Sequence, residues 1–205
     1  MGVIRLFEIN NSEVFSVDEV KKIFRISLSI KEKIISDEII CNAIVKSAEI
    51  VAESLAKGGK VLICGNGGSA SDALHFCGEI VGRFQKERKA APAISLNADI
   101  ATITSVGNDY GYDFIFERGV QAFMKQEDVF IGISTSGNSE NVYKAVIAAK
   151  EIGGKTVALL GKSGGKIKNE VDIPIIVPSD NTARTQESHI CIIHTICDLV
   201  ERTLE

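Results

Sequence analysis

The sequence predicts an α/β fold: a five-stranded parallel sheet flanked by helices, with an N-terminal helical arm. Three observations predict it. Short apolar runs recur at residues 61–64, 93–96, 129–133, 157–160 and 173–177, nearly apolar throughout, as strands covered on both faces are. Helical stretches alternate with these runs, which implies right-handed βαβ crossovers. Two loops rich in glycine and serine follow the first and third runs, and each leads into a helix. In a parallel sheet that places both loops at the carboxyl edge, where ligands bind. Strand order is not carried by periodicity.

Each element has its own justification. Residues 17–57 read as two helices. In the first, Val17, Val20, Ile23, Phe24 and Leu28 recur at helical spacing. Ser36 and Asp37 can cap the second, whose apolar positions include Ile39, Ile40, Ala43, Ile44, Ile50 and Val51; Gly58 and Gly59 end it. This pair carries more apolar positions than one packing face requires. It covers the sheet, or it also packs against another copy of the chain. Further helices are expected at about 69–82, 112–125, 138–152 and 182–203, with a short segment near 164–169 joining the last two strands.

Composition narrows the function. A chain of 205 residues that is 45% hydrophobic can bury a sizeable core. A formal net charge of −4 argues against a phosphate-backbone binder, and no basic helix-turn-helix segment is evident. No apolar run reaches the roughly 20 residues of a membrane span, and residues 1–16 contain no long apolar stretch of the signal-peptide kind. The five cysteines form no C-x-x-C pair and sit in apolar or helical stretches. Reduced, buried cysteines in a cytoplasmic protein are expected.

The two loops carry the chemistry. CGNGGSAS, residues 64–71, follows the first strand. Its Gly65, Gly67 and Ala70 match a loose dinucleotide fingerprint, but the required acidic residue is replaced by a poorly placed Asp99, and no G-K-[ST] follows for a P-loop. A plain structural turn is the other reading. The second loop, Ser134-Thr135-Ser136-Gly137-Asn138-Ser139, offers hydroxyls and helix-start N–H groups that can together surround one phosphate. Taken together, the loops favour a phosphate ligand.

Titratable residues flank them. His75 and Glu79 share one face of the helix after the first loop at i, i+4 spacing. The last helix carries Gln186, Glu187, His189 and His194. Gln186 and His194 are two turns apart and can converge on one site, whereas His189 points elsewhere. His75, Glu79, Gln186 and His194 would supply imidazole, carboxylate and amide donors to a divalent metal if the two helices meet. A lone helical histidine is otherwise a hydrogen-bonded structural residue. A carboxylate and an imidazole beside a bound sugar phosphate suit proton abstraction α to a carbonyl, the chemistry of an aldose–ketose isomerase.

CGNGGSAS, HFCGE at 75–79, VGNDYG at 106–111, GISTSGNS at 132–139 and ARTQESHICIIH at 183–194, in this order, resemble the phosphoheptose isomerases of the sugar-isomerase (SIS) superfamily. The resemblance runs from about residue 36 to the end. It divides the chain into residues 1–35, an extension with the first helix, and 36–205, a single SIS-type domain. It implies conversion of sedoheptulose 7-phosphate to glycero-manno-heptose 7-phosphate, the first step of activated heptose synthesis for lipopolysaccharide or capsule. It also implies a homotetramer with active sites at subunit interfaces, and zinc. Carried over by motif, Asn66, Gly67 and Gly68 line the substrate and Asn108 and Asp109 contact sugar hydroxyls. Ser134, Thr135, Ser136 and Ser139 hold the phosphate. Glu79 is the base at C1/C2 and His194 its acid/base partner. His75, Glu79, Gln186 and His194 match the zinc ligands, with Glu79 and Gln186 also facing substrate. Since Glu79 and His194 cannot be ordinary ligands and free bases at one instant, the role of the metal stays open. Gly78 and Thr185 depart from the family pattern without removing a ligand or base. A relative that keeps the fold but binds the bacterial replication initiator is the alternative. That relative lacks the acid and imidazole which here are Glu79 and His194.

Overall fold

A computed structural model describes residues 15–204. The first 14 residues, and the sequence-based expectations that fall on them, lie outside the described residues. The elements run α1 (Val17–Ile35), α2 (Glu38–Ala56), β1 (Val61–Gly65), α3 (Gly68–Val81), β2 (Ala93–Ser95), α4 (Ile100–Asp109), a 3₁₀ turn (Tyr112–Phe114), α5 (Ile115–Phe123), β3 (Val129–Ser134), α6 (Glu140–Ile152), β4 (Lys155–Leu160), a 3₁₀ turn (Ile167–Asn169), β5 (Ile173–Ile176) and α7 (Thr182–Glu201).

All five strands are parallel, in the order β2-β1-β3-β4-β5. The chain therefore leaves β1 in one direction and β3 in the other, and the β1–β3 boundary is a topological switch point. Alternation along each strand sorts the core into two layers. Val61 and Ile63, with Val129, Ile131 and Ile133, face a cluster that includes residues of α1, α2, α3 and α7. Leu62, Cys64, Phe130, Ala158 and Leu160 face the opposite cluster, under α4, α5 and α6. The helices α3 and α7 thus lie on one face of the sheet and pack directly on each other. That shared layer is what positions the site.

Three expectations need correction. First, α4 is not among the helices expected from the sequence. Its Ile, Thr and Val residues have low helix propensity, and the Thr104 and Ser105 hydroxyls donate back to the carbonyls of Ile100 and Thr102. The Asp99 carboxylate accepts from Thr102 N at 3.1 Å as its N-cap, and burial of Val106 secures the helix on the second layer. Second, Ser36 closes α1 while Asp37 alone caps α2, accepting from the N–H groups of Ile39 and Ile40. Third, the cysteines are all free, yet Cys191 is exposed and only Cys64 and Cys197 are buried.

The first helix does not cover the sheet. It packs on α2 and α7 and buries Ile30, while Val17, Val20, Ile23, Leu28 and, at 72% exposed, Phe24 face outward. Among the described residues, no helix is long and apolar enough to cross a membrane.

Candidate active site

The site begins with the register of β1 on β3. Gly65 lies opposite Ile133, so both glycine–serine loops leave the sheet side by side. In the first loop, Asn97 clamps the end of β1: its side chain accepts from Gly65 N at 3.1 Å and donates to Gly65 O at 2.8 Å. Asn66 comes next. Its amide donates to Asn141 Oδ1 at 2.8 Å and accepts from Asn141 Nδ2 at 2.9 Å. Tyr112 Oη also donates to Asn66 Oδ1, at 2.9 Å. Asn141 stands at the start of α6 and is buried. Two elements, α6 and the first 3₁₀ turn, therefore fix the Asn66 amide, and neither Asn141 nor Tyr112 was singled out from sequence.

Gly67 and Gly68 are exposed at the start of α3. A side chain on Gly68 would collide with the Gln186 amide, which lies against it. Gln186 is thereby placed at the first turn of α3, about two turns from His75.

The second loop is a knot of hydroxyls. The Ser134 and Ser139 hydroxyls are 2.8 Å apart, and Ser136 Oγ is 3.4 Å from Ser134 Oγ. Ser134 Oγ accepts from Gly137 N, and Ser136 Oγ from Asn138 N. Ser134 is buried, while Thr135, Ser136 and Ser139 are partly exposed. Gly137, at φ +68°, turns the chain so that it meets the loop at Gly164 and Gly165, and its carbonyl accepts from Ile167 N. Asn108 and Asp109 sit at the exposed end of α4, where Asn108 Nδ2 donates to Asp109 Oδ1 at 2.8 Å.

The helices α3 and α7 deliver the titratable group. His75 Nε2 is 2.9 Å from Glu79 Oε1 and 3.0 Å from His194 Nε2. The ring of Phe84 packs on the other side of His194, with centroids 5.5 Å apart. One ligand atom from each of His75, Glu79 and His194 falls within 4.8 Å of the others, a set that can hold a metal ion. Tetrahedral zinc, with bonds of about 2.0–2.1 Å, spaces two nitrogens by roughly 3.3 Å. The 3.0 Å separation of the two Nε2 atoms is close to that, so the donors fit such an ion. Asp72, one turn before His75, also escaped the sequence reading. Burial pushes its carboxyl up to about 6, with the His75 charge pulling it down, and its Oδ2 has no hydrogen-bond partner among the described residues.

His189 faces the sheet instead. It is buried, and its Nε2 lies 3.1 Å from the Leu160 carbonyl. Burial, opposed in part by that contact, pulls its pKa down to about 4.

A parallel sheet with hydroxyl and glycine loops at its switch point, beside a His–Glu–His group, defines a sugar-phosphate isomerase class, and the SIS domain family model matches residues 27–161. The chain is 53% identical over 178 residues to the phosphoheptose isomerase of Clostridium acetobutylicum, covering 87% of this chain and 91% of that one. It is 54% identical over 160 residues to that of Helicobacter pylori, covering 78% and 83%. A solved phosphoheptose isomerase from Francisella tularensis superposes with a TM-score of 0.86 at 40% identity, over 91% of this chain and 98% of that one. The chain belongs to the SIS domain family, as a phosphoheptose isomerase.

Proposed function

We propose that this enzyme interconverts D-sedoheptulose 7-phosphate and D-glycero-D-manno-heptose 7-phosphate through a 1,2-enediolate. The convergence of Glu79 and His194, from helices distant in sequence, is the observation that carries the reading. Ser136, Ser139 and Thr135 hold the phosphate with hydroxyls and loop N–H groups, oriented from below by the buried Ser134. Asn66, Gly67, Gly68, Asn108, Asp109 and Gln186 receive the sugar. The Glu79 carboxylate takes the proton from C1 of the ketose and returns it to C2. His194 moves the proton between the two oxygens, so that carbonyl and hydroxyl exchange places. Neutral donors around those oxygens stabilise the enediolate. His75, Glu79 and His194 would hold a zinc ion, which when bound supplies Lewis-acid polarisation; the Gln186 amide, expected as a fourth ligand, lies instead against Gly68 at the start of α3.

Along α3, His75 stands seven residues from Gly68, roughly 10 Å at about 1.5 Å per residue. The first glycine loop and the acid–base group of one chain are therefore set about two turns apart. A homotetramer whose active sites lie at subunit interfaces would unite the loop of one copy with the histidines of another. The outward apolar face of α1, within the 1–35 extension that we divide from the 36–205 domain, supports such an assembly. The protein is read as cytoplasmic, supplying heptose for lipopolysaccharide or capsule. The replication-initiator alternative is not favoured, because both acid and imidazole are present and adjacent. Incubating the purified protein with sedoheptulose 7-phosphate and following the sugar by NMR tests the reading. No aldose product under metal-replete conditions would refute it.

A further inference from the structure

A second charged group lies close behind the site. The Glu201 carboxylate, on the last turn of α7, is 3% exposed. It accepts from three consecutive backbone N–H groups, Phe84 at 2.8 Å, Gln85 at 2.7 Å and Lys86 at 2.9 Å. Arg88 Nε donates to it at 3.3 Å, and both side chains are 2% exposed. The same guanidinium donates from Nη2 to the main-chain carbonyl of Glu79 at 2.8 Å. That carbonyl is one of the orphan acceptors at the end of α3, and a cation there also suits the helix dipole. Burial pushes the Glu201 carboxyl up, but the N–H groups of Gln85, Lys86 and Phe84, with Arg88, outweigh it and hold the pKa below the ordinary range.

The connection between α3 and β2 thus touches the proposed acid–base pair twice. It reaches Glu79 through Arg88, and it reaches His194 through the Phe84 ring. A buried ion pair contributes little net stability over an apolar replacement, and specificity is the better-attested reason to keep one. We propose that Arg88 and Glu201 are positioning residues, a clamp that locks α3 against α7 and so sets the geometry of His75, Glu79 and His194. This rests on the reading of Glu79 and His194 as the acid–base pair. Arginine is required because its planar fork meets the carboxylate and the carbonyl at once, which a lysine ammonium on its flexible stem does not. A second ion pair, Lys60 with the buried Asp128, ties the amino ends of β1 and β3 without touching α3 or α7 residues of the site, and serves as the contrast.

The test compares Arg88→Lys, Glu201→Gln and Asp128→Asn with the intact enzyme, well below each melting temperature. The clamp variants should lose roughly tenfold or more in kcat with KM nearly unchanged. They should also lose roughly tenfold in affinity for Zn²⁺ alone, measured against a chromophoric chelator, as mutated supports of metal ligands do. Asp128→Asn should melt earlier with kcat and Zn²⁺ affinity intact. If Glu201→Gln does not fold, Glu201→Asp carries the same comparison. Clamp variants that melt earlier but keep full kcat and Zn²⁺ affinity overturn the proposal. Glu79→Gln, run in parallel, separates the two readings: full turnover there sinks the acid–base assignment itself, whatever the clamp variants do.

Discussion

His75 and His194, 119 residues apart in sequence, bring their Nε2 atoms to 3.0 Å. The Glu79 carboxylate lies 2.9 Å from the same His75 nitrogen. Three atoms with lone pairs converge on one point, and acid–base work and cation binding both follow from that.

Replacing the carboxylate tests the chemistry directly. Glu79→Gln keeps the shape and removes the base. The expected loss in kcat is about 10²–10⁴-fold, with substrate binding measured by calorimetry largely intact.

The serine loop grips the end of the substrate that does not react. Ser136→Ala and Ser139→Ala should therefore raise KM and spare kcat. Each lost bond to a charged phosphate costs about 1.5–3 kcal/mol, roughly a tenfold to hundredfold change. A fall in kcat alone would reassign these hydroxyls.

Gly137 sets the shape of that loop. At φ +68°, and against Gly164 and Gly165, it has no room for a side chain. Gly137→Ala should destabilise the protein by more than about 2 kcal/mol, read from denaturant unfolding.

His189 makes the fold acid-sensitive. Its pKa falls from 6.5 to about 4 on folding, so the unfolded chain binds the proton more tightly. The stabilisation is complete above pH 6.5 and is lost as the pH falls toward 4, by up to about 3 kcal/mol. His189→Gln keeps an N–H for the Leu160 carbonyl and should flatten the melting temperature across that window.

Metal content is measurable on protein purified without chelators or added zinc. About one divalent ion per chain is expected, reduced in His75→Ala and His194→Ala. An ion-free enzyme with full turnover would limit His75 to a structural role.

Much of this was legible along the chain. Five apolar runs and the turns between them identify the strands, because a strand buried on both faces needs apolar residues at every position. The loops CGNGGSAS and STSGNS mark the ligand edge, because backbone turns and phosphate contacts need glycine and hydroxyls locally. The i, i+4 pairing of His75 with Glu79 is local as well. Asn141 and Tyr112 were not legible, since their partner Asn66 is 75 and 46 residues away. Nor was α4, whose β-branched residues oppose a helix until burial of Val106 and the Asp99 cap favour it.

By itself the sequence determined the five strands and every helix but α4, the loop chemistry and the candidate acid, base and metal donors, because periodicity and turn composition act over a few residues. Only the tertiary structure decided that α3 and α7 share one layer, that His194 meets His75, and that Arg88 and Glu201 brace them from behind. Those contacts depend on strand order and helix packing, which bring distant residues together and leave no local pattern.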